Sequence, residues 1–221
     1  MVAAQDAPAP AAIPGPAPTS ATDPPLTNNR VFGVLPNYRT ADGNLPFQPI
    51  SSRRKMYIAL KDSTDWPVIP TSAAFAALYQ LENQNPSFGQ GMEGYAKRFA
   101  GAYGDQAIGN LMTEGLMPSL FHQDPRYFRV GHGRTMSRLG YAATRIFVCK
   151  SDAGTSQFNV SEVLGNSAMA GIGNAYYPDS RGLKPTFGRL FVALATDSAA
   201  QIGKEFWPDI KRRLFHRKES Q

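Results

Sequence analysis

The chain has 221 residues, of which 42% are hydrophobic and 18% are charged, with a formal net charge of +6. That length and apolar content are sufficient for one domain with a real core. The single cysteine, Cys149, excludes an intramolecular disulfide, and the lack of an apolar run of about 18 residues argues against a standard membrane-spanning helix.

Residues 1–28 form a Pro/Ala-rich segment that holds seven of the eighteen prolines and eight alanines. Because it lacks core residues, we expect a disordered, extended spacer. Val2-Ala3-Ala4 matches the small-residue end of a secretion signal, although the basic start and apolar region of such a signal are absent. We therefore predict an exported protein of the periplasm or envelope whose signal peptide is missing from this chain. The alternative is a cytoplasmic protein with a disordered tail.

Residues 29–50 mix apolar residues with prolines and turn signals such as Asp42-Gly43, which predicts an irregular arm lying on the domain. Residues 51–216 predict an all-α fold, a compact glycine-rich bundle of five to seven helices. Ser51 or Ser52 is the expected cap of the first helix, and Thr71 or Ser72 that of the second. The expected helices are 51–61, 72–83, 94–121, 135–150, 160–177, 185–207 and a separate terminal helix that begins at Pro208.

The longest uninterrupted helical pattern is Gly94–Phe121, and we expect the domain to be organised around it. Gly101, Gly104, Ile108, Leu111 and Gly115 follow each other at intervals of three or four, which places them on one face of this helix. Glycine costs about 1 kcal/mol against alanine inside a helix, so three on one face predict close contact with another backbone. Replacing Gly104 with leucine should then destabilise the protein. Pro118 should end or kink the helix.

Polar side chains recur every fourth residue on three predicted helices and form stripes. Since buried polar groups must find partners, we predict that the stripes face inward and form a structural network. A functional polar or metal-binding pocket is the alternative, but the sequence has no Glu-x-x-His pair, so we predict no metal and no cofactor. The predicted network, with two arginines as counter-charges, comprises Gln106, Asn110, Glu114, Arg138, Arg145, Glu162, Asn166, Asp197, Gln201 and Glu205.

The weak candidates for catalysis are His122 and Asp124, with Glu114 as a third member. A histidine and an aspartate two residues apart can act as a general base and its orienting group. No serine or cysteine nucleophile with a recognisable elbow accompanies them, and Asp124-Pro125 is also typical of a turn. We therefore favour a non-enzymatic function. A small hydrolase or metal-dependent enzyme that uses these residues is the alternative.

The segment Gly89-Gln-Gly91-Met-Glu-Gly94 matches the dinucleotide fingerprint GxGxxG and opens a predicted helix. The fingerprint requires a preceding strand, and an alanine-rich helix stands there instead. We expect a flexible loop and a tight turn. Anion binding at the helix N-terminus, next to Lys97 and Arg98, is the alternative.

The C-terminal segment is basic and amphipathic. Because Asp6 and Asp23 are the only charges in the spacer, the rest of the chain carries +8. Such a helix end suits an anionic membrane surface or an acidic envelope protein, although a solvated helix end explains it equally well. Nucleic acid is not predicted, since no known binding module is visible. The residues expected to bind an anionic surface are Trp207, Lys211, Arg212, Arg213, Arg217 and Lys218.

Several motifs resemble an uncharacterised family of exported bacterial helical proteins: Asp105–Asn110 (DQAIGN), His122–Phe128 (HQDPRYF) and Lys204–Asp209 (KEFWPD). In some members this region follows a carboxypeptidase-regulatory-like β-domain, in whose place this chain has its Pro/Ala segment. The resemblance covers about residues 30–215 and implies a tethered, exported module, without an activity or catalytic residues. Together with the residues themselves, it predicts an envelope-associated scaffold or binding module.

Overall fold

A computed structural model describes residues 39–215, and 67% of these described residues are helical. The predicted spacer, residues 29–38 of the predicted arm and the last six residues lie outside the described part. The mostly helical fold is confirmed, but a strictly all-α description is too narrow, because five short strands are also present.

The first two helices form a pair that leads into the centre of the fold. Helix α1 spans Ser52–Thr64, and the Ser51 side chain accepts a hydrogen bond from the backbone of Arg54, as the capping prediction required. Helix α2 spans Val68–Leu81 and begins before the predicted caps. Its start is instead set by Pro67, whose backbone is already helical and whose missing N–H costs nothing at a helix start.

The predicted organising helix is a continuous helical run in three parts. Helix α3 spans Gly91–Asn110, a π-helical segment spans Leu111–Leu116, and helix α4 spans Met117–Leu120. Pro118 does not end the run at once, because it lies in the first turn of α4, where its missing N–H is tolerated. Helix α3 packs against α2 and α1, and the π-helical segment packs against α1 and the later helix α6.

Five short strands in the described part of the chain form two small sheets. Strand β1 (Thr40–Asp42) pairs in parallel with β3 (Tyr127–Arg129). Strands β2 (Gln123–Asp124), β4 (Val148–Ser151) and β5 (Ser156–Phe158) form an antiparallel sheet in the order β2-β4-β5.

Helix α5 spans Thr135–Thr144, so the predicted helix 135–150 is wrong in its last turn and a half. Ile146, Phe147 and Val148 follow it, and such β-branched and aromatic residues favour a strand. Gly154, with a φ of 85°, then lets the chain turn back between β4 and β5.

The last two helices form the other half of the helical layer. Helix α6 spans Val160–Ile172 with Asn159 as its cap, and a 3₁₀ turn at Gly173–Ala175 replaces its predicted last part. Helix α7 spans Leu183–Phe215 and passes through Pro208 without a break. The predicted separate terminal helix is therefore wrong. An ion pair between Asp209 and Arg138 (2.6 Å) fixes the turn that follows the proline.

Of the three glycines predicted to permit close approach, Gly101 and Gly115 do so and Gly104 does not. A Cβ on Gly101 would lie 2.7 Å from the Tyr177 hydroxyl, and one on Gly115 would lie 3.1 Å from Ala59. On α6, a Cβ on Gly165 would lie 2.8 Å from Thr113 and 3.1 Å from the Met112 backbone. Gly104 differs, since its nearest neighbour would be 4.0 Å away, which is an ordinary contact. The surroundings of Gly104 therefore do not support the prediction that leucine at this position destabilises the protein.

The interior of the described fold is unusually charged. Lys55, Arg98, Glu114 and Glu205 are completely buried. Lys55, for example, extends from α1 to Asp152 in the β4–β5 turn, with an Nζ to Oδ1 distance of 2.6 Å. Large apolar side chains are instead frequent on the outside of the helices, among them Ile69, Leu78, Leu81, Leu116, Leu120, Leu183, Phe187 and Phe191.

Candidate functional site

Ionisable side chains from five segments meet inside the helical layer. They come from the chain before β1, from α1, from the π-helical segment, from α6 and from α7. We call this group the core cluster; it consists of Arg39, Asp62, Glu114, Glu162, Asp197 and Lys204.

The first half of the core cluster is an arginine between two carboxyl groups. Arg39 Nη1 lies 2.8 Å from Glu114 Oε1, and Arg39 Nε lies 3.5 Å from Asp62 Oδ2. Burial raises the pKa of Glu114 well above its ordinary value of 4.5, and the neighbouring Asp62 carboxyl raises it further. The attraction of Arg39 opposes this rise without cancelling it. The Glu114 carboxyl therefore keeps its proton to a higher pH than an exposed glutamate.

The second half is a pair of carboxyl groups joined by an amide. Asn166 Nδ2 lies 3.2 Å from both Glu162 Oε1 and Asp197 Oδ2. Burial raises the pKa of Glu162 well above 4.5, and the Asp197 carboxyl next to it adds to the rise. Two carboxyl groups this close cannot both ionise without strong repulsion. The Glu162 carboxyl therefore keeps its proton to a higher pH than an exposed glutamate.

Lys204 is the second basic group of the core cluster, beside Arg39. Burial and the nearby Arg39 guanidinium lower the pKa of Lys204 to about 8. Four carboxyl groups thus face two basic groups, one of which loses its proton easily. Protons held by Glu114 and Glu162 relieve the excess negative charge of the core cluster.

The π-helical segment positions Glu114 within this cluster. A π-turn adds a residue to the helical turn, and such turns are rare and frequent at functional sites. Thr113, in the same segment, donates to the carbonyl of Gly109 and lines two cavities, one on each side of the segment. The smaller cavity, of about 20 Å³, is bordered by Arg39, Glu162 and Lys204.

The larger cavity is an open cleft of about 340 Å³ between helices α2, α3, α6 and α7. We call it the cleft. Its walls combine aromatic rings with amide and carboxylate groups, a composition typical of small-molecule sites. The residues that line the cleft include Phe75, Tyr79, Asn85, Asp105, Gln106, Asn110, Asn166, Gly188, Arg189, Val192 and Asp197.

Two charged groups of the cleft are already bound by protein atoms. Asp105 accepts hydrogen bonds from the hydroxyls of Tyr176 and Tyr177, the latter at 2.8 Å. Burial nevertheless raises the pKa of Asp105. Arg189 donates to the backbone carbonyls of Ala170 and Ser180. Its guanidinium is therefore committed to holding the chain between α6 and α7.

Other polar groups of the cleft are open to a ligand. Asn85 is 95% buried, and its Oδ1 has no hydrogen-bond partner. Gln106 and Asn110 bond only weakly to each other, at 3.3 Å. Asn166 and Asp197 lie on the wall and also contact the core cluster, so the cleft and the core cluster are in direct contact.

Arg138 and Glu205 belong to a separate group between α5, β3 and α7. Glu205 Oε1 accepts from Arg138 Nε (2.8 Å) and the Gly131 N–H, and Oε2 accepts from the Tyr127 hydroxyl and the Val130 N–H. No contact joins this group to Glu114 or Glu162 among the interactions of the described residues. The predicted single network is thus divided into several parts.

The remaining members of the predicted network are scattered between these parts. Gln106, Asn110, Asn166 and Asp197 line the cleft, and Gln201 borders the small cavity. Arg145 also borders the small cavity, but its guanidinium lies over the Tyr141 ring, 4.0 Å from the centroid, and not beside a carboxylate. Arg145 therefore does not have the predicted role of a counter-charge for the carboxylates of the network.

The three catalytic candidates have separate partners. The His122 side chain is 84% exposed, and its Nδ1 lies 3.8 Å from Asp152 Oδ2. Asp124 is buried and bound by the guanidinium of Arg126. Glu114 lies in the core cluster. The structure therefore supplies no triad from these residues.

The glycine-rich loop is held by hydrogen bonds from a buried arginine of α3. Arg98 is completely buried and donates to the carbonyls of Gly89, Gln84 and Asn85. A guanidinium committed to loop carbonyls cannot hold an anion, so that alternative is wrong for Arg98. Its function is to fasten the loop to α3.

The basic C-terminal residues lie at the exposed end of α7. Lys211, Arg212 and Arg213 are exposed, and Arg212 pairs with Asp209 one turn earlier. Trp207 is half-buried. Arg217 and Lys218 lie outside the described residues.

Sequence reasoning missed Arg39, Asp62, Lys204 and Asp105. Lys204 carried a signal, since it follows Asp197 by seven residues and so continues the same stripe. Arg39 carried none, because it comes from a segment without helical periodicity.

Comparison of the chain with family models, with curated proteins and with solved structures gives no match. Across residues 39–215, no group of three or more His, Cys, Asp or Glu side chains is arranged to hold a metal ion. None of the described helices is long and apolar enough to cross a membrane.

Proposed function

We propose that this protein is a non-enzymatic binding module that takes a small, polar organic molecule into the cleft. The observation that carries the proposal is the cleft itself, with its volume of about 340 Å³ and its mixture of aromatic, amide and carboxylate side chains. Sites for small molecules have this size and composition. A buried, unpartnered acceptor such as Asn85 Oδ1 is costly unless a ligand or water satisfies it.

The chemistry of the walls favours a ligand rich in hydrogen-bond donors. Asp105 and Asp197 bring negative charge, whereas the donors of Arg189 are taken by backbone carbonyls. A hydroxyl or ammonium group can donate to Asp197 and to Asn85 Oδ1, and the ring of Tyr79 offers an apolar or cation–π surface. Carboxylates and phosphates meet no free cation among the described residues of this cleft and should bind poorly.

A cleft-filling substitution tests this proposal. Gly188 lies on the cleft wall, and no atom lies within 4 Å of the position that a Cβ would take there, so Gly188→Phe fills the cleft without a clash. Gly140 on α5 has equally open surroundings and is away from the cleft, which makes Gly140→Phe the matched control. Circular dichroism should show both variants folded.

The assay is thermal unfolding with panels of amines, polyols, carboxylates and phosphates. A ligand at 100 times its Kd should raise Tm by about 5–10 °C. We expect such a shift with an amine or polyol for the wild type and for Gly140→Phe, and none for Gly188→Phe. A shift that survives in Gly188→Phe, or no shift with any compound, would refute the proposal.

An exported, envelope-associated location is also part of the proposal. The Pro/Ala spacer, the resemblance to exported proteins and the basic end of α7 support it. Fractionation of cells that express the native gene should recover the protein with the periplasm or envelope. Recovery in the cytosol would refute this part alone.

A further inference from the structure

We propose that the outer faces of α2 and α7 are immersed in the acyl chains of one leaflet of an anionic membrane. We call these two faces the apolar lips, because α2 and α7 supply opposite walls of the cleft. The proposal goes beyond ligand binding and does not depend on which molecule occupies the cleft.

The outer face of α7 carries no charge over its central part. Between Pro185 and Asp209 the exposed residues are all apolar or small: Phe187, Gly188, Phe191, Val192, Ala195, Thr196 and Ala199. Gly188, Val192 and Thr196 also line the cleft, so the outer face consists of Phe187, Phe191, Ala195 and Ala199. Their spacing of four places them on one face. Phe187 is 64% exposed and Phe191 is 74% exposed. A helix face that contacts water normally carries polar or charged residues at such positions.

The charged residues in this part of α7 turn the other way. Arg189 donates to backbone carbonyls of α6 and of the loop after it. Lys204 and Glu205 are buried, and Asp197 contacts Asn166. A helix whose ionisable groups all point into the protein and whose outer face is apolar has the polarity of a protein in lipid, not in water.

Helix α2 repeats this arrangement on the other side of the cleft. It contains no charged residue in 14 positions. Its exposed side chains include Ile69, Leu78 and Leu81, the last 85% exposed. Phe75 and Tyr79 on the same helix line the cleft, so the apolar face continues to the cleft's edge.

Basic residues flank the apolar face of α7 at both ends. Arg181 and Lys184 are exposed next to Leu183, and Lys211 and Arg213 are exposed at the far end. Anionic headgroups attract such residues, each by about 1 kcal/mol. Because the basic residues at both ends of α7 must stay at the headgroups, α7 lies parallel to the membrane surface with its apolar face toward the acyl chains. The exposed apolar stretch from Phe187 to Ala199 is about 18 Å long at 1.5 Å per residue.

A second copy of the chain fits these observations less well. An isologous partner covers one patch per protomer, whereas the apolar lips lie on two helices at opposite walls of the cleft. Leu116 and Leu120 add exposed apolar surface at the end of the central helical run. Lipid can cover the outer faces of both helices at once.

Labelled single cysteines test the depth of immersion. Cys149 is buried and burial raises the pKa of its thiol, so the added cysteine is the one that reacts. We would attach an environment-sensitive nitrobenzoxadiazole to Phe191→Cys and to Leu78→Cys. Phe158→Cys is the matched control, since Phe158 is 57% exposed on β5, outside the apolar lips.

Vesicles of phosphatidylcholine and phosphatidylglycerol would carry a nitroxide either on the acyl chain or on the headgroup. For both lip positions we expect a blue-shifted, several-fold brighter emission that the acyl-chain nitroxide quenches more than the headgroup nitroxide. The Phe158 position should stay unquenched. Quenching by the headgroup nitroxide alone, an unchanged spectrum, or protection of the label in a lipid-free dimer would each overturn the proposal. Ligand binding in the cleft is measured separately, with the Gly188→Phe variant.

Discussion

Removing the carboxylate of Glu205 should destabilise the protein more than any surface change. Glu205 is completely buried and accepts four hydrogen bonds, from Arg138, Tyr127, Gly131 and Val130. In Glu205→Ala, the guanidinium of Arg138 keeps its ion pair with Asp209, but the other three donors lose their acceptor. A stranded buried donor costs about 1–3 kcal/mol, and breaking a buried ion pair costs about 3–5 kcal/mol. We therefore expect a loss of about 3–5 kcal/mol in the free energy of unfolding.

Urea unfolding followed by circular dichroism measures this loss. With an m value of about 2 kcal/mol/M, the transition midpoint should fall by about 2 M at pH 7, with m unchanged. Glu93→Ala is the control, because Glu93 is exposed and pairs only with Lys97 one turn later. That variant should unfold at the wild-type midpoint.

The pH dependence supplies a second, independent check. Burial alone raises the pKa of Glu205, but the hydrogen bonds from Arg138, Tyr127, Gly131 and Val130 outweigh it and lower the pKa below 4.5. A carboxyl with a lowered pKa stabilises the fold above its unfolded pKa, and this contribution is lost as pH falls through the folded pKa. The wild type and Glu205→Ala should therefore converge in stability in acid. A gap that stays constant from neutral to acid pH, or a midpoint equal to that of Glu93→Ala, would show the reasoning to be wrong.

Three further predictions use other parts of the fold. Gly165→Leu should cost about 1–3 kcal/mol, because the added atoms meet backbone of the π-helical segment, whereas Gly140→Ala should not destabilise the protein; urea unfolding compares the two. Burial and the Asp197 carboxyl raise the pKa of Glu162, so wild-type stability should fall as pH rises above about 4.5 and Glu162→Gln should flatten that decline in urea titrations across pH. Burial raises the pKa of the Cys149 thiol to about 12, so it should react with iodoacetamide at pH 8 only after unfolding, and rapid reaction of the native protein would contradict its burial.

Local signals predicted the helices better than their ends. The cap at Ser51 and the inward stripe of Asp197 and Gln201 follow from periodicity and capping chemistry, which act over a few residues. The predicted end of α5 is wrong because the segment from Val148 to Lys150 continues a helical pattern in sequence and becomes a strand only by pairing with Ser156–Phe158. Such pairing is decided by tertiary contacts.

The sequence indicates which polar residues face inward, but not which of them lie together in the candidate site. Glu114, Glu162 and Asp197 could be placed on inward faces, but which stripe meets which depends on how the helices pack. Arg39 reaches Glu114 across 75 positions from outside any helix, and no periodicity indicates this contact. The cleft is likewise a product of the spacing between α2 and α7, which no local pattern encodes.

The π-helical segment makes the relation between the cleft and the core cluster depend on chain length. Each residue of an α-helix advances the chain by about 100° around the axis. Deleting one residue between Leu111 and Leu116 would restore ordinary α-helical winding and rotate Gln106 and Asn110 by about that angle relative to Glu114. Either the cleft wall or the partner of Arg39 would then turn away from its place. An insertion or deletion in this segment would therefore change how the cleft and the core cluster are oriented relative to each other, even if every side chain of both sites were kept. A single substitution leaves that relative orientation unchanged.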